Sequence, residues 1–567
     1  MTTPTLPESH AVRQRSPFWP ARHPTELAVP ACTIWDNLVV SAARFPDKPA
    51  FIFLGRTLSY RELLQQAELL AGWLHGAGVR HGSRVVIFMQ NCPQWVIGFH
   101  AAMRLGAVVV PVNPMNQVAE LKYVFEDAGV SAAICSAELA ATVAAARSTV
   151  TCSSTMPVVV ASYSGALPDD PAAIEPTVPT VMRDWLLADF PLPASFVSWC
   201  DAMRSEANVP VVTTVPDNLA VLPYTSGTTA MPKGCMHSHK TLMPNVVGIG
   251  QWGHTSAESV WLGVAPLFHI TGMMGSMLTP IFGGGTVVLM PRWNRELAGA
   301  LIGRHRVTEW ILIPTMLIDL LGSPNAERFD LSSLRFVNGG GAPMPEAVAK
   351  ELKARLGLEL VEGYGLTETA APTHCNPVDR VKPQCLGIPV FGTEARVIDV
   401  DTGLEVPTGE TGEIVVRGPQ LFLGYWKQPQ ATEAAFIKLD GRRFFRTGDL
   451  GRRDEDGYFF LSDRLKRMIN ASGFKVWPSE VELMLFSHPA VQEACVIAAI
   501  DPYRGETVKA VIVPRTGMQP SADEIIAWAR TQMSTYKVPR IVEFVTALPK
   551  SGSGKVMWRS LQDAERP

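Results

Sequence analysis

Apolar residues recur along this chain with two periods, and the switch between them marks out its elements. From Thr33, positions Trp35, Leu38 and Val39 follow a helical repeat that stops at Phe45-Pro-Asp-Lys-Pro. Ala50-Phe-Ile-Phe-Leu and Thr57-Leu-Ser-Tyr then alternate as two short strands around Gly55-Arg56, a hairpin. Ser59, with Glu62 three residues on, has the spacing of a capping box and predicts a helix over 60–75, which Gly76 is expected to end. Continuous apolar strands follow at 84–89, 107–112 and 132–135, with helices at 93–105 and 118–128 between them. Such runs, apolar on both faces and separated by helices, predict a parallel sheet covered on both sides. Between 148 and 217 the pattern dissolves into Pro, Ser, Thr and Asp, an excursion around the domain with one helix near 196–207.

A second strand–helix series begins at Ala220-Val-Leu-Pro-Tyr and continues with strands at 259–266, 286–290, 309–313, 334–338 and 359–364. Two such series predict two related αβα-type sheets packed in one large unit. From 390 to 461, Val, Gly, Asp-Gly and Thr-Gly turns predict a small antiparallel barrel. Beyond it lies a module of about one hundred residues, an ordinary size for an independent domain. Its elements are a helix at 479–487, strands at 493–500 and 507–514, a helix at 522–532 and a strand at 541–545. The expected fold is α/β, with a large N-terminal domain over 1–465 and a small α+β C-terminal domain over 466–567.

Residues 260–291 contain no Asp, Glu, Lys or Arg, a run long enough to span a bilayer. Pro266, Gly272, Gly275, Pro280 and Gly283 break it into pieces, so a buried strand, a helix and a second strand are expected there. With 47% apolar and 18% charged residues the chain reads as a folded globular protein. A formal net charge of −3 gives no reason to expect nucleic acid as a partner. Nine cysteines, an odd number without a Cys-x-x-Cys pair, indicate neither a disulfide framework nor a zinc site. The polar N-terminus has no apolar signal core, and a reducing cytoplasm fits best.

The chemistry concentrates in Tyr224-Thr-Ser-Gly-Thr-Thr-Ala-Met-Pro-Lys-Gly234. Four Ser/Thr hydroxyls and two glycines stand around one lysine, the inventory of a polyphosphate cradle. It is not the P-loop of kinases, because Lys233 lies between Pro232 and Gly234, and Cys235-Met-His-Ser then alternates like a strand. Cys235, His237 and His239 would share one face of that strand as metal ligands. A structural zinc needs a fourth partner, so packing is the expected role.

Further stretches follow in order: Pro266-Leu-Phe-His269, Asn338-Gly-Gly-Gly-Ala-Pro343, Gly363-Tyr-Gly-Leu-Thr-Glu-Thr369, Arg446-Thr-Gly-Asp-Leu450, Ser462-Asp-Arg-Leu-Lys466, Trp477-Pro-Ser-Glu-Val-Glu482 and Pro549-Lys-Ser-Gly-Ser-Gly-Lys555. With them the chain, from Thr33 to Leu561, resembles the acyl-adenylate-forming superfamily of acyl-CoA synthetases, peptide-synthetase adenylation domains and beetle luciferases. Ala230 departs from the pattern, standing where that family usually has glycine.

The resemblance implies a two-step reaction with ATP, Mg²⁺ and coenzyme A. A carboxylate attacks the α-phosphorus of ATP, and the acyl group of the acyl-AMP then passes to a thiol. Thr225, Ser226, Gly227, Thr228, Thr229 and Lys233 would hold the β- and γ-phosphates. Glu368, with Thr228, would ligate Mg²⁺. Thr367 would bond the α-phosphate, while Tyr364, Gly365, Gly340, Gly341 and Ala342 would line the adenine slot. Asp449 and Arg464 would take the ribose. Lys555 would stabilise charge at the reacting oxygens. Lys466 would be a hinge whose rotation withdraws Lys555 and brings Ser472 and Gly473 towards the acyl-AMP.

The stretch around His269 lacks the acid that pairs with an amino group, which argues against an amino acid substrate. His269 would gate the site or orient the carboxylate. Met273, Met274, Met277 and Leu278 suit an adaptable alkyl pocket as readily as they suit a core. No carrier domain follows Lys555, so free CoA is the expected acceptor. The expected function is a medium- to long-chain fatty acyl-CoA ligase. An aryl- or dicarboxylate-CoA ligase, an acyl-AMP ligase loading a carrier protein, and a nucleotide-binding sensor are the alternatives. A homodimer stays open.

Overall fold

The computed structural model describes residues 18–24, 26–150, 155–205, 209–225, 231–340, 346–464, 467–471, 474–501, 505–550 and 556–565. Ala347, Arg464, Asn470, Phe474, Lys475 and Gly505 are described for their backbone alone.

Two large sheets form the body, as the two strand–helix series predict. The first runs Val197–Ser198, Val158–Ala161, Val130–Ser136, Arg84–Phe88, Val108–Pro111, Leu219–Val221 and His237–Ser238, parallel except for the last strand. Its side chains alternate with period two. Val85 and Ile87 face one core, while Val86 and Phe88 face another, beneath the helices Val118–Ala128 and Ala140–Ser148. The second sheet runs Ile388–Pro389, Ala371–Cys375, Leu360–Leu366, Phe336–Gly340, Glu309–Leu312, Val260–Gly263, Thr286–Leu289, Pro49–Phe53 and Arg56–Ser59. Its centre is parallel and its edges antiparallel.

One apolar core joins the two sheets, with Val85, Ile87 and Ile134 from the first and Phe51, Trp261 and Val337 from the second. The helix Pro93–Arg104 lies in it so deeply that every side chain from Pro93 to Met103 is buried. Gly98 permits this, since a Cβ there would sit 2.9 Å from Ile134 Cδ1.

The sheets do not divide the sequence where its pattern suggests. Leu219–Val221, the expected start of the second series, pairs parallel with Val108–Pro111 of the first sheet. The hairpin at Pro49–Ser59, which precedes the first series, is an edge of the second sheet. Nor does the 148–217 excursion lack structure. Val158–Ala161 extends the first sheet, the helix Thr180–Leu187 follows, and the helix expected at 196–207 shrinks to Trp199–Met203 behind a two-residue strand. Val158-Val-Val-Ala was legible as a buried strand, but the surrounding proline and serine masked it. The capping box at Ser59 and Glu62 is present, whereas the helix runs through Gly76 and the left-handed glycine after it is Gly78, φ 98°. Helix Ile34–Arg44 carries the same box between Thr33 and Asp36.

The charge-free run over 260–291 forms the strand Val260–Gly263, three short helical turns and the strand Thr286–Leu289. Among the described residues no helix is long and apolar enough to cross a membrane. Glu394–Ile398, Gly412–Arg417, Phe436–Leu439, Arg442–Arg453 and Phe459–Arg464 form a curled antiparallel sheet. In the C-terminal module, Val491–Asp501 and Gly505–Pro514 make a long hairpin, flanked by Ile469–Ala471, Phe474–Val476 and Ile541–Phe544. Helices Pro478–Phe486 and Ala522–Gln532 cover one face, and Trp558–Ala564 the other.

Candidate functional site

The stretch expected to cradle phosphate leaves Leu219–Val221, the last strand but one of the first sheet, and returns beside it as the edge strand His237–Ser238. Thr225 N–H donates to Lys233 O at 2.9 Å, and Tyr224 bridges Gly234, so the ends of the loop are pinned together. Residues 226–230, hence Ser226, Gly227, Thr228, Thr229 and Ala230, lie outside the described residues, as do Gly341, Ala342, Lys466, Ser472, Gly473 and Lys555. The pinned base is anchored further by Tyr123, whose hydroxyl donates to Pro232 O at 2.9 Å, and by Tyr224, which donates to Asp127 at 2.6 Å.

On its other side the returning segment pairs with the stretch that enters the curled sheet. Trp426 N–H donates to Gly234 O at 2.8 Å and Met236 N–H to Gly424 O at 3.0 Å. This places Tyr425 between two expected site residues. The Lys233 ammonium lies 4.7 Å from the centre of its ring, a cation–π contact. Its hydroxyl donates to the Glu368 carboxylate at 2.8 Å. Burial and the Glu368 charge push the Tyr425 phenol well above its ordinary range, so it stays a donor. Sequence reasoning missed Tyr425; the aromatic pair in Gly424-Tyr-Trp426 was the available signal.

Thr367 and Glu368 form a turn at the end of strand Leu360–Leu366 in the second sheet. Three residues fix it. Phe422 N–H donates to Glu368 O at 2.8 Å. His237 Nε2 donates to Thr367 O at 2.7 Å. Asn245 donates to the carbonyls of Thr369 and Ala370 at 3.1 and 2.8 Å. Burial keeps His237 neutral, with its pKa pushed down to about 4, so one ring nitrogen donates and the other accepts. His239 begins the helix His239–Trp252 rather than extending the strand, and its Nδ1 accepts from Ile34 N–H at 3.1 Å. Cys235 packs against Phe422 and Val416 in the core of the curled sheet. The three therefore do not share one strand face.

The same strand carries Tyr364 and Gly365, two of the residues expected to line an adenine slot. Tyr364 donates to Asp449 at 2.6 Å, and Asp449 is 2% exposed. Gly340 and Gly363 face each other across neighbouring strands, where a Cβ on Gly340 would stand 2.8 Å from Gly363 O. A Cβ on Gly365 would collide with the backbone oxygen of Ala371. Gly365→Ala is expected to cost about 1–3 kcal/mol, as overpacking does, lowering the thermal midpoint; an unchanged midpoint in a thermal melt would count against this packing. Asp449 is set in place by Glu413, itself buried, whose carboxylate accepts from Arg446 at 2.6 and 2.9 Å and from Gly448 N–H at 3.1 Å. The backbone of Arg464 pairs with Asp449 on the adjacent strand.

His269 caps the turn Ile270–Met273, its Nδ1 accepting from Thr271 N–H at 3.3 Å. Met273, Met274 and Met277 are fully buried. Met274–Leu278 is a π-helical turn, a feature frequent at functional sites. Asn91, three residues past the first-sheet strand Arg84–Phe88, holds the preceding turn from both sides, donating to Ala265 O at 3.1 Å and accepting from Leu267 N–H at 2.8 Å. Among the described residues no group of three or more His, Cys, Asp or Glu is arranged to hold a metal ion. Glu368 is of a different kind: a half-buried carboxylate anchored by Tyr425, the hard oxygen donor that suits Mg²⁺ shared with phosphate oxygens.

Comparison with known proteins shows the family. Residues 38–426 match the family described as AMP-binding enzyme, and residues 480–555 match the AMP-binding enzyme C-terminal domain. The chain is 36% identical to the long-chain-fatty-acid–CoA ligase of Bacillus subtilis, over 96% of this chain and 97% of that protein. It is also 36% identical to a feruloyl-CoA synthase of Amycolatopsis, over 89% of this chain and 93% of that one. The crystal structure of ATP-bound MatB from Rhodopseudomonas palustris superposes with a TM-score of 0.80 at 28% identity, covering 94% of this chain and 99% of the other.

Proposed function

We propose, for a chain that belongs to the AMP-binding enzyme family and is an AMP-forming acyl-CoA ligase, that the acid it activates is a medium- to long-chain fatty acid. In the first step a carboxylate oxygen bonds to the α-phosphorus, the bond to the β-phosphate oxygen breaks, and pyrophosphate leaves. In the second the CoA thiol attacks the acyl carbonyl, forming the thioester and releasing AMP. Lys233, with the hydroxyls of Thr225, Ser226, Thr228 and Thr229 and the backbone at Gly227, neutralises the leaving pyrophosphate. Thr367 bonds the α-phosphate. Bound Mg²⁺ would neutralise phosphate charge, held by Glu368 with Thr228. Tyr364, Gly365 and the 340–342 backbone take adenine, and Asp449 and Arg464 the ribose.

The observation that carries the activation step is Tyr425, which touches Lys233 and Glu368 together and so couples the residue proposed for the leaving pyrophosphate to the one proposed for Mg²⁺. Rotation of the 466–567 domain about Lys466 would exchange Lys555 for Ser472 and Gly473 between the steps.

Two observations support an alkyl substrate. One is the likeness to the Bacillus ligase, and the other is the run of methionines behind His269, whose unbranched side chains adapt to varied apolar shapes. Equal identity to the feruloyl-CoA synthase favours an aryl acid as the second reading. A pyrophosphate-release assay over C8–C18 fatty acids, ferulate, benzoate and malonate decides between them. We expect the highest kcat/KM among the fatty acids; a tenfold preference for ferulate would replace the first reading with the second.

A further inference from the structure

The turn that carries Thr367 and Glu368 is held from beneath by two side chains to which the reaction scheme gives no part. His237 lies three residues beyond Gly234, on the segment leaving the phosphate loop, and is fully buried. Its Nε2 donates to Thr367 O at 2.7 Å, and its Nδ1 accepts from the Thr241 hydroxyl at 3.2 Å. Asn245 is 3% exposed, on the helix His239–Trp252 one residue past Pro244. Its amide donates to Thr369 O, Ala370 O and Pro372 O at 3.1, 2.8 and 3.2 Å.

Between these anchors the backbone is strained. Ala370 and Ala371 take φ of 49° and 78°, a region that residues with a Cβ avoid. Such strain persists only where the surroundings over-determine the conformation. Here the anchoring hydrogen bonds are buried, so losing one leaves a carbonyl unsatisfied as well as releasing the turn. The sheets supply no substitute, because the phosphate loop leaves the first sheet while Thr367 ends a strand of the second. Beside the link through Tyr425, His237 thus ties Thr367 to Lys233 directly, through one short stretch of chain.

We propose that His237 and Asn245 are positioning residues for the adenylation step, holding the Thr367 hydroxyl and the Glu368 carboxylate in register with the phosphate loop without touching substrate. This rests on the assignment of Thr367 and Glu368 to the α-phosphate and the metal. It bears mainly on the first half-reaction, because the α-phosphate stays in the acyl-AMP throughout while the pyrophosphate with which it must be held in register is present only in the first.

The test compares His237→Leu with His237→Gln, which keeps an amide donor near Nε2, and Asn245→Leu with Asn245→Asp, which keeps the shape and loses the donor. Each full-length variant is assayed with dodecanoate in pyrophosphate–ATP exchange, then with dodecanoyl-AMP and CoA for thioester formation, and its thermal midpoint is measured. Thr367→Ala is the control. His237→Leu is expected to lower kcat for exchange about 10- to 100-fold, with the KM for dodecanoate within threefold and thioester formation largely retained. His237→Gln should recover most of the loss, and Asn245→Asp should be as impaired as Asn245→Leu. If Thr367→Ala slows exchange while His237→Leu does not, the positioning role is wrong and the site assignment stands. If Thr367→Ala leaves exchange intact, the assignment falls and the positioning role with it. Equal loss of both half-reactions in the leucine and glutamine variants, with a matching fall in midpoint, would reduce His237 to packing.

Discussion

Lys555→Ala is expected to lower pyrophosphate–ATP exchange by about 10²–10³-fold, the usual cost of removing one group aimed at developing transition-state charge. Thioester formation from supplied acyl-AMP should stay within a few-fold of the unaltered enzyme. The proposal places the ammonium against the carboxylate and α-phosphate oxygens in the first step only. Around the loop that carries it, Lys550 pairs with Val556, and Met557 N–H donates to Pro549 O at 2.7 Å. Lys550 is tied in turn to Glu493 at 2.8 Å. The substitution therefore sits in a loop with a built base, and its effect should be chemical rather than a loss of folding. Stopped-flow measurement of each half-reaction is the check. Comparable losses in both would show that Lys555 has no step-specific role.

Asp449→Ala carries the second large effect, a rise of about 10- to 100-fold in the apparent Kd for ATP, equivalent to losing a hydrogen bond with a charged partner. The carboxylate is proposed to accept from the ribose, and it accepts from Tyr364 in the structure at 2.6 Å. Removing it takes away the sugar's acceptor and leaves the tyrosine hydroxyl without that partner. Tyr364→Phe separates the two contributions, since it removes the donor and spares the carboxylate; a rise of a few-fold is expected. Calorimetric titration with ATP measures both. An Asp449→Ala enzyme that binds ATP as tightly as the unaltered one would remove Asp449 from the nucleotide site.

Much of the fold was legible because its signals are local. Ser59 with Glu62, the apolar runs at 84–89 and 107–112, and the helix at Val118–Ala128 each depend on residues a few positions apart. Sheet membership is not local. Nothing in Leu219-Ala-Val221 says that it pairs with Val109 rather than with a strand that follows it. The site divides in the same way. Composition exposed the hydroxyl-rich loop, and the family resemblance pointed to Glu368 and Asp449. Neither exposed Tyr425 or Asn245, whose roles come from contacts across 57 and 124–127 positions of chain. His237 was visible only as one of three possible metal ligands expected to pack, while its acceptor, a backbone carbonyl, has no side-chain signature at all.

The exchange of strands between the two sheets bears on how the molecule comes into being. As the chain leaves the ribosome, Pro49–Phe53 emerges more than two hundred residues before Thr286–Leu289, the strand on which it pairs. The first sheet, in turn, waits for Leu219–Ser238. The second sheet cannot close until Thr286–Leu289 has been made, so its assembly trails far behind its first hairpin, with the slow kinetics of distant pairings. A nascent chain stopped between the two series would hold an unmatched hairpin edge, open to association with other chains. The seam that brings the expected phosphate loop and Thr367 together thus cannot form until synthesis has passed Leu360–Leu366 of the second sheet.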